Sequence, residues 1–170
     1  MDNTHALLVC YSYSGHSRRL ARQLAKMHGW PLGEIQLQEP RSGWMGYGQC
    51  LLDSLLHRCP AIRYHGPAPN EFDITVLVSP VWAGRLASPM RSFMTQYLDK
   101  LGPTAVLEVM GGSGAAGAIG EANALLRRPP VFSTAFLQHE VQAQGPEHLA
   151  RLRDLPQSLA PAVPSWAAAA

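Results

Sequence analysis

Residues 12–17 read Ser12-Tyr13-Ser14-Gly15-His16-Ser17, three serine hydroxyls around one glycine with no lysine. Hydroxyls and free backbone amides gathered around a glycine can bind an anion, above all a phosphate monoester. A Walker loop needs a Gly-Lys-Ser/Thr run, which this turn does not have. The same residues would also serve a plain serine-capped helix, and the turn alone does not separate the two. A second stretch, Ser79-Pro80-Val81-Trp82-Ala83-Gly84-Arg85, offers a large flat side chain that stacks well on a ring system. The alternative is a tryptophan packed on its own loop. A third stretch, Gly111-Gly112-Ser113-Gly114-Ala115-Ala116-Gly117, holds a literal GxGxxG at Gly112, Gly114 and Gly117, with Glu140 downstream. That is a dinucleotide signature, but too little chain follows it for a full βαβαβ unit. A glycine-rich backbone lip against a flat ligand is the better reading.

The elements around these turns alternate. Ala6 to Tyr11 is a short apolar run suited to a buried strand. Apolar positions at 20, 21, 24, 25 and 28 predict a helix over 17–28, stopped by Gly29. Glu34 to Leu37 alternates weakly as a second strand. Gln38 to Gly48 reads as a loop carrying Trp44 and Tyr47, and Leu51 to Cys59 as a helix. Pro60 to Glu71, with three prolines and a glycine, reads as a connection. Asp73 to Ser79 is β-branched and continuously apolar, as a central parallel strand should be. Ser88-Pro89 opens a helix striped by Met90, Phe93, Met94, Tyr97 and Leu98. Thr104 to Met110 is a buried strand, Ala118 to Leu126 a helix, Val131 to Leu137 a fifth strand, and Pro146 to Leu155 a last helix. Five β-α units imply an α/β sandwich, a parallel sheet covered by helices on both faces. Residues 1–155 are expected as one domain and 156–170 as a Pro/Ala-rich tail ending in four alanines.

Composition narrows the function classes. The chain has 170 residues, 46% hydrophobic, and a net charge of +2. This suits one globular domain with a real core. No apolar stretch approaches the roughly 20 residues that span a bilayer. The N-terminus lacks a signal-peptide pattern. Three cysteines, at 10, 50 and 59, show no metal-ligand spacing. The expectation is buried, reduced thiols, no metal and a cytoplasmic protein. The basic residues Arg18, Arg19, Arg22 and Lys26 share one helix without a recognition motif, so no nucleic-acid partner is expected.

With the turns placed, the chain resembles the flavodoxin-like superfamily of FMN proteins, in the manner of small flavodoxins and NAD(P)H-quinone reductases. The phosphate loop of that family, T/S-x-T/S-G-x-T/S, stands here as Ser12 to Ser17. Pro80-x-Trp82-x-Gly84, followed by Pro89 and Phe93, resembles the isoalloxazine loop. Gly111-Gly112-Ser113-Gly114 resembles the loop near the pyrimidine end of the flavin. The likeness covers residues 6 to about 155. It implies a three-layer sandwich with a five-stranded parallel sheet of order 2-1-3-4-5, and a ligand at the switch point beyond the strand ends. It further implies FMN as cofactor, with Ser12, Ser14, Ser17 and the amides of 13–17 on the phosphate. His16 stands either at the phosphate or facing solvent. Trp82 would face the ring, and the Pro80, Val81, Ala83, Gly84, Gly111, Gly112, Ser113 and Gly114 backbone would edge it. No side chain need act as a catalyst, because the flavin carries the redox chemistry.

The chain departs from electron-carrier flavodoxins, which are strongly acidic. Here the second turn carries Arg85 and the third carries no charge. Repulsion of the reduced cofactor should be weaker, giving a less negative reduction potential than a carrier's. The expected function is flavin-mediated electron transfer, as a shuttle to a redox protein or as a reductase between NAD(P)H and a quinone. Such reductases often complete their site with a dimer partner, so a homodimer is compatible. The segment from Trp44 to Tyr47 would then shape an acceptor pocket or simply pack. The competing reading is a flavodoxin-like binding or scaffold module that does not retain FMN.

Overall fold

A computed structural model describes residues 5–159. Its centre is a sheet whose middle strands are buried along nearly their whole length. They are β1 (Ala6–Cys10), β4 (Ile74–Trp82) and β6 (Thr104–Met110). Strands buried on both faces cannot alternate, hence the unbroken Ala-Leu-Leu-Val-Cys and Ile-Thr-Val-Leu-Val runs. β2 (Leu32–Leu37) pairs with β1, and β7 (Phe132–Leu137) pairs with β6, all parallel. The parallel core therefore runs β2-β1-β4-β6-β7, the order expected from the alternating elements.

Helices cover both faces. On one, α1 (His16–His28), α5 (Gln138–Ala143) and α6 (Pro146–Leu159) bury Leu20, Leu24, Val141 and Leu152 against Leu8, Val76 and Leu107. On the other, α2 (Gly43–Leu55), α3 (Ser88–Gln96) and α4 (Ala115–Leu125) bury Cys50, Met90, Phe93 and Ala122 against Leu7, Leu77 and Val106. Each fully buried Leu or Val contributes roughly 1.5–3 kcal/mol of transfer free energy.

Several expectations are corrected. The sheet has seven strands rather than five. β3 (Ile62–His65) lies antiparallel on β2, within the segment read as a connection. Its alternation is clear in place, with Ile62 buried and Arg63 exposed, but flanking prolines and a four-residue length hid it. β5 (Arg85–Leu86) folds back on β4 as a two-residue hairpin arm. α2 starts at Gly43, inside the expected loop, and ends at Leu55, so Cys59 lies beyond it and is exposed. Cys10 and Cys50 are buried as expected, and burial pushes the Cys10 thiol up to about 12. α5 was not anticipated. The last helix continues through Pro156 to Leu159, because Leu155, Pro156 and Leu159 all pack inward. The alanine run lies outside the described residues.

Candidate functional site

Parallel register brings the three turns to one edge of the sheet. Cys10 pairs with Val78, and Ser79 with Glu108, so β1, β4 and β6 deliver their C-terminal ends side by side. The Tyr11 amide donates to the Val78 carbonyl at 3.0 Å as the first turn leaves the sheet.

In the first turn the residue capping α1 is Gly15, at φ +95°, and not a serine. Only glycine takes that backbone angle without strain. The Gly15 amide donates to Ser12 Oγ at 3.0 Å, which curls the turn back on itself. Ser14 Oγ lies 2.9 Å from His16 Nδ1, and His16 Nε2 lies 2.6 Å from Gln142 Nε2 on α5. Ser17 is buried in the first helical turn. Among the described residues no side chain caps α1, and its first turn holds no acid. The orphan amides that every helix start exposes thus keep their donor capacity and their share of positive dipole. Of the two readings of this turn, the serine cap is not built. On its outer face α1 is basic, with Arg18 Nε at 3.2 Å and Arg22 Nη2 at 3.7 Å from Glu34.

The second turn is a tight hairpin between β4 and β5. Ala83 and Gly84 both have positive φ, at +50° and +72°. Positive angles at both central residues suit the twist of a two-residue hairpin. Pro80 is buried and Val81 half-buried. Trp82 is 4% exposed. Its ring meets Tyr11 edge-on at 5.6 Å, and Tyr13 and Tyr47 at 6.2 Å each. The tryptophan therefore stands behind a screen of tyrosines, two of them from the first turn and its strand and one from α2.

The third turn packs on the second. A Cβ on Gly114, itself at φ +99°, would lie 2.7 Å from the Gly84 Cα, and one on Gly117 would lie 2.2 Å from the Gly84 carbonyl oxygen. Gly114 and Gly117 of the GxGxxG pattern thus serve loop-on-loop approach, while Gly112 faces open space. Gly111, Gly112 and Ser113 remain exposed at the rim. Glu140, the acid downstream of that pattern, instead accepts from the Leu137 amide at 3.1 Å and from Arg151 at 3.4 Å.

Two acidic centres beneath these turns were not anticipated. Glu108 is fully buried in β6, with its carboxyl oxygens 3.1 and 3.2 Å from Ser79 Oγ. Burial pushes its carboxyl up to about 8; the nearby Glu121 charge adds to the rise and the Ser79 hydroxyl opposes it. Glu121 on α4 gathers the second turn: it accepts from Arg85 at 3.0 Å, from the Leu86 amide at 3.2 Å and from the buried Arg91. Arg85 is thus an ion-pair partner as well as a charge near the turn. The single sequence signal was a glutamate inside the apolar run Thr-Ala-Val-Leu-Glu-Val-Met.

α2 closes the remaining side. The Tyr13 hydroxyl donates to the Gly43 carbonyl at 2.8 Å, and the Tyr13 and Tyr47 rings lie 5.7 Å apart. A cavity of about 480 Å³, lined by Ser12, Tyr13, Arg18, Arg41 and Gly43, opens between the first turn and the start of this helix. Arg41 anchors it through Asp53 at 2.7 Å. Among the described residues no group of three His, Cys, Asp or Glu side chains could hold a metal ion, and no helix is long and apolar enough to cross a membrane.

No protein-family model matches the sequence, and no curated protein matches it. Solved structures do. A flavoprotein from Lactobacillus acidophilus, crystallised in complex with FMN, superposes with a TM-score of 0.70 at 20% identity, covering 82% of this chain and 97% of that one. The apo-form of the Lactobacillus acidophilus flavoprotein, determined by NMR, gives 0.59 at 20% identity over 82% and 95%. Two-electron reduced flavodoxin from Megasphaera elsdenii gives 0.53 at 13% identity over 89% and 98%. At such identities the likeness is one of architecture, and it agrees with the strand order and with the three turns at one sheet edge: the chain has the flavodoxin-like fold.

Proposed function

We propose that this chain is an FMN-binding redox protein that carries out flavin-mediated electron transfer in the cytoplasm, working as an NAD(P)H-dependent reductase of quinone-type acceptors. The observation that carries the reading is the uncapped start of α1. Gly15 at positive φ, free amides in the first helical turn and serines on either side form a cradle suited to a phosphate dianion. Nothing lies within 4 Å of where a Gly15 Cβ would stand, so the cradle has room. In this reading Ser12, Ser14 and Ser17 hold the phosphate, and His16, fixed between Ser14 and Gln142, orients the Ser14 hydroxyl. The exposed backbone of Gly111, Gly112 and Ser113 meets the polar edge of the ring system. Bound FMN would supply the redox chemistry, taking up and releasing one or two electrons. The solved flavoprotein with FMN supports the cofactor assignment by its shared fold. The reductase role rests on charge: with a net +2, the chain lacks the acidic surface that a carrier uses to dock on a basic partner.

The test is direct. Purified protein should be yellow, or should quench the fluorescence of added FMN. It should then oxidise NADPH or NADH in the presence of a quinone. A colourless protein that leaves FMN fluorescence unchanged would favour a scaffold module, and FMN binding without nicotinamide oxidation would favour a shuttle.

A further inference from the structure

The residue expected to face a flavin ring, Trp82, presents only 4% of its surface, and the position after it is Ala83. Its turn is closed over by contact with Gly114. A different tryptophan is available. Trp44, at the start of α2, is 84% exposed, the most exposed large apolar side chain among the described residues. Met45 and Tyr47 beside it are exposed as well, and a contiguous exposed apolar patch marks a contact surface.

Its position is continuous with the candidate site. The residue before it, Gly43, accepts the Tyr13 hydroxyl from the first turn. The residue three later on the same helix face, Tyr47, touches both Tyr13 and Trp82. The cavity beside the first turn is lined by Ser12, Tyr13, Ser42 and Gly43, which brings it from the first turn to the residue before Trp44. Trp44 is also mounted on a yielding support. Gly43, Gly46 and Gly48 fall in the first six residues of the helix, and glycine is a weak helix former. Gly46 is buried and cannot be enlarged, because a Cβ there would stand 2.9 Å from the Arg41 carbonyl carbon and 3.2 Å from the Tyr13 hydroxyl. The segment is held at the first turn while its own helical preference is weak.

We propose that Trp44 supplies the aromatic face on which the isoalloxazine ring packs, with Trp82 acting as the buried support behind Tyr13 and Tyr47. The inference rests on the FMN reading above. Both a stacked arrangement and an edge-on one would satisfy an exposed indole. The contact is with the ring and not with the phosphate, which separates it from the serine cradle.

The experiment titrates FMN and riboflavin into the full chain, its Trp44→Ala and Trp44→Phe variants, and Ser14→Ala. Trp44→Ala should weaken both flavins by roughly tenfold or more, equally for the two, and change the visible absorption of the bound flavin. Trp44→Phe should recover most of the affinity. Ser14→Ala should weaken FMN and spare riboflavin. Circular dichroism should show Trp44→Ala folded, as expected for so exposed a side chain. Unchanged flavin affinity and spectrum in Trp44→Ala, beside a wild type that binds FMN, would overturn the inference and leave the FMN reading standing. A wild type that binds no flavin would overturn both.

Discussion

Gly114 and Gly84 meet backbone to backbone: a single methyl group on Gly114 would stand 2.7 Å from the Gly84 Cα. Two turns from different strands, β4–β5 and β6–α4, are thereby locked at the sheet edge. Gly114→Ala should fail twice, through that clash and through its φ of +99°. A loss of about 1–3 kcal/mol is expected, read as a lowered midpoint of thermal or urea unfolding. Gly112→Ala, with nothing within 4 Å and no positive φ, should be close to neutral.

Ser14→Ala removes a hydroxyl from the first turn and frees His16 from one of its two partners. A hydrogen bond to a charged phosphate is worth about 1.5–3 kcal/mol, so the FMN dissociation constant should rise by about tenfold or more. Fluorescence titration measures it, and the melting temperature of the free protein should barely move because Ser14 is exposed.

Glu108 ties stability to pH. Its carboxyl is raised from 4.5 to about 8 by burial. Between those values the unfolded chain has released this proton and the folded chain has kept it. Stability from this group is therefore full below the unfolded value, falls as pH rises towards 8, and levels off above. Glu108→Gln keeps the shape and removes the titration, so it should flatten a loss on the order of 2–5 kcal/mol across that window. Urea unfolding at a series of pH values gives the comparison; an unchanged slope in the variant would place the pH dependence elsewhere.

Glu121 offsets a buried cation. Arg91 is 3% exposed, and its Nη1 has no partner among the described residues. Glu121→Gln would leave the guanidinium uncompensated, at an expected cost of about 3–5 kcal/mol. Replacing Arg91 with methionine in the same chain should recover a large part of that loss, and a double-mutant cycle would show strong coupling.

Arg85 stands at the second turn with 44% of its side chain exposed. In the FMN-loaded protein, Arg85→Gln should make the midpoint potential more negative, on the order of tens of millivolts, by removing a nearby positive charge. Potentiometric titration checks the sign. A potential that does not move would mean that Glu121, bound to Arg85 at 3.0 Å, already cancels its field.

Much of the architecture was legible because it follows from periodicity. Largely apolar, β-branched runs at 6–11, 73–79 and 104–110 read as central strands once helices alternate with them. The Ser12–Ser17 turn was legible as the link from the first strand to the first helix, though not for its cap, since Gly15 rather than a serine begins the helix. The missed pieces are those whose form depends on tertiary contact. β3 exists because β2 offers an edge. α2 holds together with three early glycines because Tyr13 grips it at Gly43 and Arg41 grips it at Asp53. The burial of Trp82 depends on three tyrosines from two distant segments, which no local pattern records. Glu108 was visible as an anomaly, but its meaning required Ser79 on the adjoining strand.

The two margins of the sheet are finished differently. On one side the short β3 presents Arg63 and His65 outward, and charged, four-residue margins make poor templates. On the other, Arg151 reaches from α6 to donate to the Ala135 carbonyl of β7 at 2.8 Å and covers the Phe136 ring at 4.3 Å. A guanidinium thus lies over the margin strand β7. Short strands, charged side chains and covering residues at both margins are features that make a sheet edge a poor template for further strands.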